Sequence, residues 1–301
     1  MDIILHQYDP SPYATKARRM LAAKGVAWKS VTVPDVWPKP ELMPLTGGYR
    51  LVPIMQIGSD IYCDSNVIAK KLDEIAPIPA LKPLDNVNNL ALTNWADGLF
   101  RQMVGVGVAL NLMTQEMLDD RNEFIVPKIE RSIEEERLPG SLLRVHSSVQ
   151  KIESLLDDGR EFLLGSSPCH ADFSVHAMIA LTALFPEFSS TVKSAPRCYA
   201  WVDRMNQFGD GNREDISSAD ALDAARNSEP EPVADGSRSL FGLAAGTNVR
   251  VTPSRDYRYG VDGKLVFLDF DEIVIARFDE QVGNIHVHFP VSQVDVGILN
   301  G

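Results

Sequence analysis

The chain has 301 residues, enough for two or three domains. Hydrophobic (45%) and charged (23%) fractions exclude a disordered chain, and 20 Gly with 19 Pro exclude a collagen-like repeat. The 29 basic side chains against 41 acidic ones give a net charge of −12, which argues against nonspecific binding to nucleic acid or to an anionic membrane. The most apolar run, Met178 to Phe185, falls short of the roughly 18 residues a membrane helix needs. Met1 to Pro10 lacks a basic segment followed by an apolar one, so no signal peptide is expected. Cys63, Cys169 and Cys198 lie far apart and suit neither a disulfide framework nor a zinc knuckle. Together these features point to the cytoplasm.

In chain order, Ile3–Leu5 predicts a short buried strand. A helix follows, with Ser11 as cap, Pro12 at its first position, Ala17, Met20 and Leu21 at helical spacing, and Gly25 as its stop. Val31–Val33 predicts a second strand. Ile54–Ile57 and Ile61–Cys63 flank the turn Gly58-Ser59-Asp60, a hairpin. Ser65–Glu74 predicts a helix with Ile68, Leu72 and Ile75 on one face. Residues 1–80 thus form one mixed α/β unit.

Residues 86–227 predict an all-helical unit. Trp95, Leu99, Met103 and Val106 share a helix face. Further helices cover His146–Asp158 and His170–Phe185, another follows Pro196, and Ser218 is placed as the cap of a last one. The stretch Asn227–Ser239 reads as a linker. Residues 240–301 then predict a small antiparallel β domain, with strands Asn248–Val251, Lys264–Phe270, Glu272–Phe278 and Asn284–Phe289 separated by turn clusters such as Asp262-Gly263. About 60 residues make a marginal core, so this unit is expected to pack on the helices or on a second subunit.

Three short runs carry the chemistry. Ser11 stands at the mouth of a helix, where free N–H groups and a partial positive charge stabilise a thiolate or alkoxide. An ordinary N-cap serine is the alternative. Val52-Pro53 precedes a strand; a cis bond there would turn the Val52 backbone toward a ligand, and a strand-start proline is the alternative. Asp64-Ser65 stands where a strand passes into a helix. It offers a carboxylate for an ammonium group and a helix N-terminus for a carboxylate, or only a cap.

In order and spacing these runs resemble the cytosolic glutathione transferase superfamily. Ser11-Pro12-Tyr13-Ala14 is similar to the redox-site segment of glutaredoxins and omega-class transferases, with Ser11 where those carry Cys, as in the tau, phi, theta and zeta classes. Val52-Pro53 resembles the family's cis-proline pair and Asp64-Ser65 its γ-glutamyl-binding pair. Cys169-His170-Ala171-Asp172 resembles its helix-capping box, with Cys169 in place of Ser or Thr. The resemblance covers residues 1 to about 210. The final β unit falls outside it.

The resemblance implies a thioredoxin-like domain joined to a helical domain, a homodimer, and glutathione lying across the first domain. Val52 would pair with the cysteinyl backbone, and Asp64 and Ser65 would hold the γ-glutamyl end. Ser11 would donate to the sulfur, with Tyr8 as the backup activator or no activator at all. Lys39 and Trp37 lie in the loop where the family places ligands for the glycine carboxylate. Arg50 is a further cation without an assigned role. The thiolate would attack a small hydrophobic electrophile between the domains, where some of Trp95, Phe100, Met103 and Val104 line substrate and Gly105 and Gly107 open a groove.

Other residues have plainer readings. Cys63 is a buried structural thiol, and Arg18 and Arg19 are solvated helix-face charges. Glu134-Glu135-Glu136 is a solvated helix end. His286 and His288 share a strand face opposite Ile285, Val287 and Phe289; two such His could bind a metal, but with no third ligand evident a solvated face is expected. The leading function is a glutathione transferase that conjugates small electrophiles, as in detoxification, or cleaves ether-linked aromatics. The alternatives are a non-catalytic binding or assembly module, which the appended β unit would suit, and a glutathione-dependent isomerase.

Overall fold

The computed structural model describes residues 2–82, 86–125, 127–233, 237–253 and 259–299. Part of the predicted linker, 234–236, lies outside them. The first unit follows the expected order. β1 (Ile3–Gln7), α1 (Pro12–Ala23), β2 (Ala27–Thr32), β3 (Ile54–Ile57), β4 (Asp60–Cys63) and α3 (Ser65–Ile75) are joined by a short α2 (Met43–Thr46) ahead of β3. Ser11 caps α1, its Oγ accepting from the Ala14 N–H at 3.2 Å, and Gly25 at φ 65° turns the chain into β2.

The helical unit comprises α4 (Asn86–Ala109), α5 (Gln115–Asn122), α6 (Arg131–Leu155), α7 (His170–Ile179), α8 (Ser189–Ser194) and α9 (Pro196–Asn206). α6 starts well before the predicted His146. α7 is shorter than predicted, because Ala180–Leu184 tightens into a 3₁₀ turn. Its capping box survives the Cys169 substitution: the Asp172 carboxylate accepts from the Cys169 N–H at 3.0 Å, and from Leu163 N–H and Trp201 Nε1 at 2.8 and 3.0 Å. Among the described residues no single helix is long and apolar enough to cross a membrane. The bent pair His170–Leu184 and Pro186–Ser194 passes by length and composition, but every residue of α7 is buried in the core.

After α9 the chain returns to the sheet. β5 (Asn212–Asp215), which sequence periodicity did not suggest, pairs in parallel with β2, with Ala27 opposite Asn212. α10 (Ser218–Arg226) is capped by Ser217 rather than Ser218. Ser217 Oγ accepts from the Asp220 N–H, and the Asp220 carboxylate accepts from Ser217 N–H, each at 3.1 Å.

The C-terminal strands are β6 (Asn248–Pro253), β7 (Val261–Leu268), β8 (Glu272–Asp279), β9 (Gly283–Pro290) and β10 (Val294–Ile298). They pair antiparallel among themselves. Asp262-Gly263 is therefore not a turn but part of β7. A Cβ on Gly263 would lie 3.0 Å from the Ala276 carbonyl, so the neighbouring strand approaches closely there. Within the chain the unit packs not on the helices alone but on the sheet of the first unit. β9 pairs in parallel with β4, Asp60 opposite His286 and Tyr62 opposite His288. All described strands thus form one sheet, in the order β10-β6-β7-β8-β9-β4-β3-β1-β2-β5.

Strand alternation divides two cores between the faces of this sheet. Ile3, Leu5, Met55, Ile57 and Tyr62 face α1, α3 and the helical unit. Ile4, Ile54, Ile61 and Cys63 join Ile275, Ile285, Val287 and Phe289, with α10 contributing Ala221 and Ala225. Cys63 is buried, as expected for a structural thiol.

The same alternation puts His286 and His288 on the face that α3 covers, so they do not form a solvated face. His288 lies between two carboxylates: Nε2 is 3.0 Å from Asp60 Oδ1 and Nδ1 is 2.7 Å from Glu272 Oε1. Both ring nitrogens meet carboxylate oxygens, an arrangement that favours the doubly protonated ring. Tyr62 stacks on it, with centroids 4.3 Å apart. Lys70 donates to Glu272 at 2.5 Å and faces Asp269, and the Glu231 N–H donates to Asp60 at 2.8 Å. His286 Nδ1 stands 3.7 Å from Asp60, and burial lowers its pKa. Among the described residues no group of three or more His, Cys, Asp or Glu is arranged to hold a metal ion.

Burial alone would lower the His288 pKa, but the hydrogen bonds and charges of Asp60 and Glu272 outweigh it and raise it above 6.5. Burial would raise Glu272; His288 and Lys70 instead bring it down to about 2. A raised His pKa adds stability that is full below about 6.5 and is lost as pH climbs through the folded-state value; the lowered Glu272 adds stability that is lost as pH falls toward 2. Thermal midpoints should therefore fall from pH 6 to pH 9 in the wild type. The fall should shrink in His288→Gln, while His288→Leu, which strands two buried carboxylates, should cost about 3–5 kcal/mol in chemical denaturation at pH 6.

Candidate functional site

Sheet register gathers the three chemical runs. His6 lies opposite Ile54, and Ile54 opposite Cys63. The chain leaves β1 toward Ser11, enters β3 from Val52-Pro53 and leaves β4 into Asp64-Ser65, so all three occupy one end of the sheet. Ser11 is buried, and its cap bond uses an Oγ lone pair, which leaves the hydroxyl proton free to donate. The Val52–Pro53 peptide is cis.

Asp64 holds φ 98°, a backbone region costly for any residue but glycine. Its carboxylate accepts from the Asn66 N–H at 2.7 Å and from Asn66 Nδ2 at 2.8 Å, capping α3. Burial raises its pKa, and the Asn66 bonds and the Lys16 charge offset part of that. Lys16 is 2% exposed and donates to Ser65 Oγ at 2.9 Å, tying α1 to α3. Burial lowers its pKa to about 8 against the pull of Asp97 and Asp64. Asp97, on α4, accepts from Tyr13 OH at 2.9 Å, and Tyr13 meets Phe100 edge-on with centroids 4.9 Å apart.

A second charged group lies on the Tyr8 side. The Asp120 carboxylate accepts from the Trp37 N–H at 2.7 Å and from Arg50 and Arg121 at 2.6 Å. Arg50 is stacked 3.8 Å from Phe124 and 5.0 Å from Trp37. Arg121 reaches Tyr8 OH at 3.4 Å. Lys39 is 3% exposed and lies over the Tyr8 ring, 5.5 Å from its centroid. Burial, then Arg121 and Arg50, press its pKa to about 8. A protein of net charge −12 thus keeps three cations around one carboxylate here, an arrangement that suits an anion.

Other expected residues move. Arg18 is not solvated: it is buried, donating to Gln7 Oε1 at 2.7 Å and Asp210 Oδ1 at 3.0 Å. Arg19 bonds the Met205 carbonyl and Asn206. Met103 belongs to a helical core with Val106 and Phe188. Gly105 opens no groove, because the Glu134 carboxylate fills the place of its Cβ; that contact also makes Glu134 more than a solvated helix end. Lys16, Asp97, Asp120 and Arg121 escaped sequence reading. For Lys16 a signal existed: it shares the helical stripe of Tyr13, Ala17 and Met20.

Residues 5–80 match the family described as glutathione S-transferase, N-terminal domain, and residues 104–212 match a domain of unknown function. A GST-like protein from Pseudomonas syringae is 33% identical, with 99% of each chain covered and a TM-score of 0.83. The β-etherase LigF from Sphingobium is 21% identical over 68% of this chain and 95% of its own, TM-score 0.52. A rice glutathione S-transferase solved with glutathione is 19% identical over 74% of this chain and 96% of its own, TM-score 0.51. Among curated proteins none matches.

Asp120→Ala would leave Arg50, Arg121 and Lys39 to repel one another and strip the Trp37 N–H of its acceptor. Chemical denaturation should register a loss of about 2–3 kcal/mol.

Proposed function

We propose that this chain, which belongs to the glutathione S-transferase-like family, binds glutathione along the Ser11 end of its sheet and turns its thiol into a nucleophile. The convergence of Ser11, cis Val52-Pro53 and Asp64-Ser65 on one sheet end carries this reading. The backbone of Val52 pairs with the cysteinyl residue. Asp64 receives the γ-glutamyl ammonium, and Ser65 at the α3 N-terminus receives its carboxylate. The strained backbone of Asp64 fits such a role, since strain of that kind collects at ligand sites. Lys39 receives the glycine carboxylate.

Ser11 acts on the sulfur. Its hydroxyl, already polarised by the Ala14 N–H, donates to the sulfur and favours thiolate over thiol. A free thiol has a pKa near 8.5, and each unit lowered is about 1.4 kcal/mol in favour of thiolate. The proton passes to solvent, the thiolate attacks an electrophilic carbon, a carbon–sulfur bond forms, and the leaving group departs with its electron pair. The acceptor is a small hydrophobic electrophile held near Tyr13 and Phe100. An ether-linked aromatic is attacked by the same thiolate, with the aryloxide as leaving group. Family likeness also supports a homodimer and a cytoplasmic setting.

Ser11→Ala should lower kcat about a hundredfold with an electrophilic aromatic acceptor while changing glutathione affinity less than threefold. Unchanged kcat in the mutant would move the activating role to Tyr8 or elsewhere. S-methylglutathione has no thiol to titrate, and comparing wild type with Lys39→Met separates Lys39 from Lys16, whose pKa burial also lowers to about 8. The calorimetric affinity of this ligand should be flat to pH 7 and fall as pH rises through about 8, where the Lys39 ammonium loses its proton. Lys39→Met should bind more weakly and lose that fall.

A further inference from the structure

The C-terminal strands grip the segment that leads into Val52-Pro53. Gly47 ends α2 at φ 66°, and the Arg277 guanidinium of β8 occupies the space where a Cβ would stand. Tyr49 meets Phe289 of β9 edge-on at 5.8 Å. Gly48 faces the Gly260 carbonyl. Leu51 borders a cleft of about 10 Å³ with Pro253 and Tyr259, room for one water at most. From the opposite side, Asp120 and Phe124 of the helical unit hold Arg50. Residues 47–51 are thus pinched between two units.

Arg277 holds this place at a cost. Its Nε donates to the Asp262 carbonyl at 3.0 Å, but Nη1 is shut off from water and has no acceptor. A guanidinium present for solubility would not stay there. Its neighbour Phe278 is 69% exposed and, by strand alternation, points to the other face of β8.

We infer that Arg277 is a positioning residue for the co-substrate site. It wedges the α2 end so that the Val52 backbone is already in place when a γ-glutamyl thiol peptide arrives, and the appended strands are the fixed wall that lets it do so. Rigidity before binding avoids the ordering cost that a loose 47–53 segment would add. This inference rests on the glutathione reading above.

The test compares wild type, Arg277→Met and Phe278→Ala as full chains. S-methylglutathione affinity is read by calorimetry, backbone amide exchange of residues 48–52 without ligand by mass spectrometry, and stability by thermal midpoint. Arg277→Met should weaken binding about tenfold and speed exchange at 48–52 selectively, with exchange in β1 and β3 unchanged and protection restored by saturating S-methylglutathione. Phe278→Ala should behave as wild type. Wild-type affinity in Arg277→Met, or exchange that rises uniformly across the sheet, overturns the inference. If the wild type itself fails to bind, the glutathione reading falls, and the exchange comparison alone decides whether Arg277 holds the segment. Should Arg277→Met not fold, Arg277→Lys, which keeps the charge and loses the planar wedge, takes its place with the same outcomes.

Discussion

Asp60, His288 and Glu272 are the point on which the two ends of this molecule meet. Three ionised side chains lie under α3, one from each of three strands, and none could stay there alone. A protonated imidazole donates to both carboxylates at once, and Lys70 and the Glu231 N–H take up remaining lone pairs. The Asp60–His288 bond crosses the β4–β9 seam and reinforces the backbone pairing that makes one sheet of two. The second hydrophobic core, which draws residues from β1, β3, β4, α10 and the C-terminal strands alike, depends on that union.

The Ser11 end of the sheet depends on it at one remove. α2 and the segment after it are held between an acidic residue of the helical unit and a basic residue of the strand unit. The proposed glutathione site is thereby framed by all parts of the chain, although the runs that suggest it lie in the first 65 residues. The P. syringae structure matches this chain over 99% of its length, C-terminal strands included, whereas the β-etherase and the rice transferase match only part of the chain.

What could be read from sequence was local. Ser11 before Pro12, the hairpin around Gly58 and the strands after residue 247 follow from caps, turns and alternation over a few residues. Alternation even put His286 and His288 correctly on the face opposite Val287. What it could not supply was the cover, because α3 lies over 200 residues away in the chain and the pairing of β4 with β9 leaves no mark on either strand. Arg18 shows the same limit. On a helix surface an arginine looks solvated, and only the fold brings Gln7 and Asp210 to it. The motif residues Ser11, Val52, Pro53, Asp64 and Ser65 were legible because family likeness supplied their grouping. Lys16 sat in plain view on an apolar stripe, and Asp120 and Arg121 had no local signature.

The parallel seam also sets an order of assembly. β4 cannot acquire its outer neighbour until residues beyond 282 have been made, since β9 begins at Gly283. Until then the nascent chain carries an open edge with unpaired N–H and C=O groups, and a buried-to-be aspartate at its start. Such edges invite pairing with other chains. Contacts this distant in sequence form slowly, because the loop must close before they repay it. A ribosome-stalled or truncated product ending before β9 would therefore present the sticky side of an otherwise formed domain. The Asp60 carboxylate at the start of that edge would oppose such pairing only in part.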